Sequence, residues 1–191
     1  MDSPCREEWG LSDYTQDDVY LVNRAQEGYF DAYQELASRY AVRMYRTALR
    51  LLSNHEDAQD VAQDASINAW RRLEHFRGQS AYSTWLYRIV TRLALNKLQR
   101  DKPVDSLELL PDLPSADDSP PENLERHEVI DAVTDAVAAL PIPQRVVVVL
   151  HHFEGLSYAE VAAITGSSVP AVRSHLFRAR RSLTYTLREW R

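Results

Sequence analysis

Residues 101–128 constrain this chain more than any other stretch. Five of its nine prolines and nine of its 28 acidic residues fall there. Proline fixes φ and removes a donor, and like charges repel, so such a segment buries little apolar surface and stays extended. On both sides of it the apolar residues recur at three- and four-residue steps, the period of an amphipathic helix. No segment alternates with period two for long enough to make a strand. The expected fold is therefore all-α, with two small helical domains over 16–100 and 128–191. An acidic, proline-rich linker over 101–127 joins them, and a poorly ordered tip covers 1–15.

Within the first half, Thr15 and Asp18 in "TQDD" suit a helix start, and that helix should stop near Gly28. A longer helix is expected from Phe30 to Leu52, its stripe running Phe30, Tyr33, Leu36, Ala37, Tyr40 and Met44. Ser53 or Asn54 would cap a third helix with Glu56, Asp57 and Asp60 near its N-terminus, where the helix dipole favours anions. Ala58, Val61, Ala62, Ala65, Ala69, Leu73 and Phe76 form its apolar stripe, and Gly78 ends it. A fourth helix runs from about Ala81 to Arg100 and buries Tyr82, Leu86, Ile89 and Leu93. In the second half, the β-prone run Val146–Leu150 lies inside a helical pattern and reads as a buried helix.

Charge by segment says more than the net −6. Residues 71–100 sum to +6 and 169–191 to +5, whereas 1–35 and 101–128 each sum to −7. Two basic patches on an acidic chain fit local binding of a polyanion, the acidic parts limiting indiscriminate adhesion. The longest unbroken apolar runs are Ala136–Leu140 and Val146–Leu150, too short to span a bilayer. The acidic N-terminus is not that of a signal peptide. Cys5 is the only cysteine, so no internal disulfide marks an oxidising compartment, and a cytoplasmic location is expected.

The last two helices have the spacing of a DNA reader. In "LSYAEVAAITGSSVPAVRSHLFRAR", Ser157 and Glu160 make a capping box, and Ala162 is small where two helices would cross. Gly166 suits a left-handed turn, Ser168 caps the second helix, and Pro170 is tolerated in its first turn. Val169, Val172, Leu176, Ala179 and Leu183 form the buried stripe. The opposite side presents Arg173, Ser174, Phe177, Arg178 and Arg181. Such a helix fits the B-DNA major groove, where arginine takes guanine O6 and N7 in a bidentate contact.

With both halves in view, the chain resembles an extracytoplasmic-function (ECF) sigma factor, a promoter-specificity subunit of bacterial RNA polymerase. "LPIPQRVVVVLHHFEGLSYAEVAAITGSSVPAVRSHLFRARRSL" follows that family's LP-x-x-x-R, G-L-S-x-x-E-[IV]-A and G-[TV]-V-[KR]-S-x-[LI]-x-R-A-R pattern. "EDAQDVAQDASINAW" resembles its polymerase-docking segment, and "FRGQSAYSTWLYRIV" its minus-10 reader. The resemblance implies polymerase contacts at Asp57, Asp60, Gln63, Asp64 and Trp70. It implies contacts with the melted minus-10 strand at Gln79, Ser80, Tyr82, Trp85, Arg88, Arg92 and Asn96. Minus-35 duplex recognition falls on Ser168, Arg173, Ser174, Phe177, Arg178 and Arg181, with Arg180 also near phosphates. The implied partners are core RNA polymerase, promoter DNA and an anti-sigma factor, often membrane-anchored, that restrains a stress-response regulon. Departures from the family pattern stand at Ser66, Arg92, Asn96, Thr165, Ser167, Pro170, Ala171 and His175.

Other classes fit the residues less well. Only five glycines occur and none forms a phosphate-cradling run. His151 and His152 next to Glu154 hint at a metal, but neighbours on a helix point about 100° apart. No catalysis, cofactor or metal is expected. A free-standing helix-turn-helix regulator explains the C-terminal half and leaves the first half without a role.

Overall fold

A computed structural model describes residues 11–100 and 132–190. The tip over 1–10, most of the expected linker and the start of the second half lie outside the described residues. Helix α1 spans Leu11–Gln26, α2 Phe30–Leu52, α3 His55–Arg72 and α4 Tyr82–Arg100. In the second half α5 covers 132–138, α6 Ile142–Val148, α7 Tyr158–Thr165 and α8 Val169–Thr186. Helix α6 runs straight into a π-helical turn, Val149–Phe153. Among the described residues there is no strand, and the all-α expectation holds.

Most boundaries follow the local signals. Ser53 takes the left-handed conformation that closes α2 (φ 55°), and Asn54 caps α3 by accepting the Asp57 amide. One start differs: α1 begins at Leu11 instead of at a Thr15 cap. The α3 stripe also changes form early, because a 3₁₀ turn over Leu73–His75 precedes Gly78.

Helix α2 is the spine of the first half, with α1, α3 and α4 packed around it. Leu36, Leu51, Leu73, Leu86 and Val90 are fully buried there, each burial being worth about 1.5–3 kcal/mol. Asp18 of α1 is buried with its carboxylate against Arg39 (2.9 Å) and the Tyr40 hydroxyl, which ties α1 to α2 by charge as well as packing. In the second half α6 and α7 pack on α8, burying Val149, Leu150, Val161, Val172 and Ala179. The run Val146–Leu150 is indeed a buried helix, its last residues widened into the π turn.

The two halves share one apolar core. The end of α2 meets α6 and the π turn, and the start of α4 meets α7. Arg145 stitches this seam: its guanidinium donates to the Leu51 carbonyl at 2.8 Å and to the carbonyls of Ala138 and Leu140.

Candidate nucleic-acid interface

The helix-turn-helix is built from its caps inward. The Ser157 hydroxyl accepts the Glu160 amide, and the Glu160 carboxylate accepts the Ser157 amide at 2.9 Å, so two otherwise unpaired donors at the start of α7 are satisfied. Gly166 closes α7 at φ 66°, and the amides of Gly166 and Ser167 both return to the Ala162 carbonyl. Ser168 caps α8 by accepting the Ala171 amide, with Pro170 in the first turn. Thr165 and Ser167, where the family pattern is apolar, bond each other at 2.8 Å, and Thr165 also donates to the Val161 carbonyl. The polar turn is thus closed on itself.

With Val172, Leu176 and Ala179 buried, the opposite face of α8 projects Arg173, Phe177, Arg178 and Arg181 into solvent. Phe177 is 70% exposed, an unusual place for a bare phenyl ring and a suitable one for a thymine methyl. Ser174 accepts from the Arg178 guanidinium at 3.0 Å, and the Arg173 guanidinium lies 5.6 Å from the Tyr158 ring centroid. Arg180 is drawn aside toward His152, at 3.4 Å. His151 faces the Leu156 carbonyl at 2.7 Å and stacks on Tyr158, so it serves the packing of this domain.

The second basic face lies on α4. Arg88, Arg92, Asn96 and Arg100 follow one another at four-residue steps, all exposed. At its N-terminal end Tyr82 is 4% exposed, enclosed by Tyr40, Phe76 and Trp85, and Trp85 is half-buried against Phe76. Tyr82 therefore presents no free ring face here. It supports the loop, as does Gln26, whose amide donates to the carbonyls of Leu73 and Phe76 at 2.8 Å each. Between α1 and this loop lies a cleft of about 320 Å³ lined by Asn23, Gln26, Arg77, Gly78 and Ser80 among others. Gln79, at the loop's crest, is exposed. The cleft was not foreseen from the sequence, because α1 forms one of its walls.

The acidic edge of α3 is partly occupied. Lys97 of α4 pairs with Asp57 at 2.5 Å and with Asp60 at 3.4 Å, while Gln63 and Asp64 are exposed. Farther along, Trp70 is 37% exposed, its ring 4.8 Å from Tyr33 and 5.3 Å from Phe30. Phe30, Ile67 and Trp70 make an exposed apolar patch beside Asp64. Phe30 and Ile67 were missed by sequence reasoning, although Ile67 stands three residues from Trp70. The hydroxyl of Tyr33 sits on Ser66, which accounts for a small polar residue at that position.

Comparison with known proteins agrees with this division. The model for Sigma-70 region 2 matches residues 36–103, and that for Sigma-70 region 4 matches residues 130–183. The RNA polymerase sigma-H factor of Pseudomonas aeruginosa is 35% identical over 182 residues, covering 90% of this chain and 94% of its own. The ECF RNA polymerase sigma-E factor of Escherichia coli K12 is 38% identical over 181 residues, covering 87% and 92%. Among solved structures, CnrH in complex with the cytosolic domain of CnrY superposes with a TM-score of 0.68 at 27% identity, covering 91% of this chain and 98% of that one. The chain belongs to the ECF group of the sigma-70 family of RNA polymerase sigma factors. These are transcription initiation factors, and among the described residues no helix is long and apolar enough to cross a membrane.

Proposed function

We propose that the chain brings core RNA polymerase to a set of promoters by a division of labour among three surfaces. The end of α3, with Gln63, Asp64 and Trp70, meets the polymerase, Asp57 and Asp60 lying on the same edge. The α4 column of Arg88, Arg92 and Asn96 follows the backbone of the melted minus-10 strand. The cleft beside Gln79 and Ser80 holds an unstacked base, as reading single-stranded DNA requires. Helix α8 enters the minus-35 major groove with Arg173, Ser174, Phe177 and Arg178, its mouth held by Ser168, while Arg181 takes phosphate. The polymerase supplies the chemistry, and the chain works in the cytoplasm as a binding factor.

The observation that carries this reading is the α8 face, where exposed arginines and Phe177 stand opposite a fully buried stripe in a capped helix-turn-helix. An anti-sigma protein is the further partner we infer, since the similar CnrH structure contains the cytosolic domain of CnrY. The deciding experiment is gel filtration of the purified chain with bacterial core RNA polymerase, followed by promoter mapping with the complex. Stoichiometric co-elution is expected. Free elution together with specific operator binding by the chain alone would replace this reading with a stand-alone regulator.

A further inference from the structure

One buried carboxylate lies outside every surface described so far. Glu154 follows the π turn of the second half, and its side chain is only 6% exposed. Its partners lie in the first half. The Thr47 hydroxyl of α2 is 2.7 Å from Oε1, the Arg50 guanidinium of α2 is 3.5 Å away, and the Tyr87 hydroxyl of α4 bonds the same carboxylate. A second bridge crosses nearby: Thr84 of α4 donates to the capping glutamate of α7, Glu160, at 3.0 Å. Arg145 and the Leu51 carbonyl make a third. Burying a carboxylate is costly unless it is paired and hydrogen-bonded, and here the pairing exists only while the halves are together.

The position of this seam matters. Thr84 stands at the head of the α4 column that continues through Arg88, Arg92 and Asn96 at four-residue steps, so α7 sits on the end of the minus-10 face. The two promoter elements lie some 25 base pairs apart, about 85 Å along the duplex at ~3.4 Å per base pair. Helices α4 and α7 in hydrogen-bond contact cannot put α4 and α8 on both elements at once. Residues 101–131, at about 3.3 Å each when extended, reach about 100 Å and so permit the separation.

We propose that the contacts of Glu154 with Thr47, Arg50 and Tyr87, and of Glu160 with Thr84, form a self-inhibitory clasp. The clasp holds the free chain closed and must open for the polymerase-bound form. Its promoter consequence rests on the reading given above; the clasp itself does not. An open form that makes up about a tenth of the free population weakens apparent polymerase affinity about tenfold, and opening the clasp restores it.

The test uses the full-length chain with Cys5→Ser, and spin labels at Glu74→Cys and Tyr185→Cys, both exposed sites. Pulsed dipolar spectroscopy of the otherwise unaltered chain should give one narrow distance. Glu154→Lys should broaden and lengthen it, as should the isosteric pair Thr47→Val with Thr84→Val, with helical circular dichroism retained. Arg50→Glu added to Glu154→Lys should recover part of the narrow distance. Affinity for core polymerase should rise severalfold in the opened variants and fall again in the charge-reversed pair. A broad distribution in the starting chain, or distances unmoved by the variants, would overturn the clasp. Distances that move with no change in polymerase affinity would overturn its inhibitory role. Failure of every form to bind polymerase would instead remove the sigma reading, while the distances still decide the clasp.

Discussion

At the scale of single residues, the two roles of arginine on α8 are separable. Arg173→Ala or Arg178→Ala should cost about 1–3 kcal/mol of promoter affinity if the side chain holds a guanine edge, and the loss should be confined to promoters with that base pair. Arg181→Ala should instead weaken all duplexes alike and lower the salt slope by about one. Fluorescence anisotropy of the polymerase complex on matched and mutated promoters, at several salt concentrations, distinguishes them. Stability has its own critical residue. Asp18 is buried against Arg39 and Tyr40, so Asp18→Ala leaves a half-buried guanidinium without that partner and should cost about 3 kcal/mol in urea unfolding. The caps at Asn54, Ser157 and Ser168 and the turn at Gly166 were legible in the sequence because each is a transaction among residues three or four apart. Glu154 was not: its partner Thr47 is 107 residues away, and nothing local distinguishes its carboxylate from a solvated one. Tyr82 was misjudged for a related reason, since its burial depends on Tyr40, on another helix.

At the scale of elements, helix α7 is short and depends on its capping box. Ser157→Ala should lower stability by about 1 kcal/mol, measured by urea unfolding, and should raise amide exchange at Glu160 and Val161 ahead of the rest. The junction of the π turn with α8 carries a pH response. Partial burial, with His151 and Arg180 nearby, holds His152 below the usual histidine range. The unfolded chain then takes up a proton near pH 6.5 while the folded chain does so only at lower pH. Stability is full above that point and declines as pH drops below it. His152→Gln should flatten the decline in melting temperature between pH 7 and 5. Helix identities and most boundaries were readable from the three- and four-residue period alone. The π turn was not, because the same apolar run fits either ladder, and the wider one is chosen by what surrounds it.

At the scale of the whole molecule, polymerase and DNA surfaces lie on different elements and should fail independently. Trp70→Ala removes the centre of the Phe30, Ile67 and Trp70 patch and should cost about 2 kcal/mol or more of polymerase affinity. It should leave the chain's weak, salt-sensitive binding to duplex DNA unchanged; gel filtration and anisotropy measure the two. The acidic edge beside that patch was legible as charge, but not its partial neutralisation by Lys97, which arrives from α4. The π turn also makes the second half sensitive to chain length. The Glu154 amide reaches back to the Val149 carbonyl at 3.1 Å, one residue farther than an α-helix spans. Deleting a single valine there would let an ordinary ladder close without loss of helix. Everything beyond it would then be rotated by about 100° about the axis. Such a protein would keep its reading helix and its arginines, yet aim them along a different line across the same duplex.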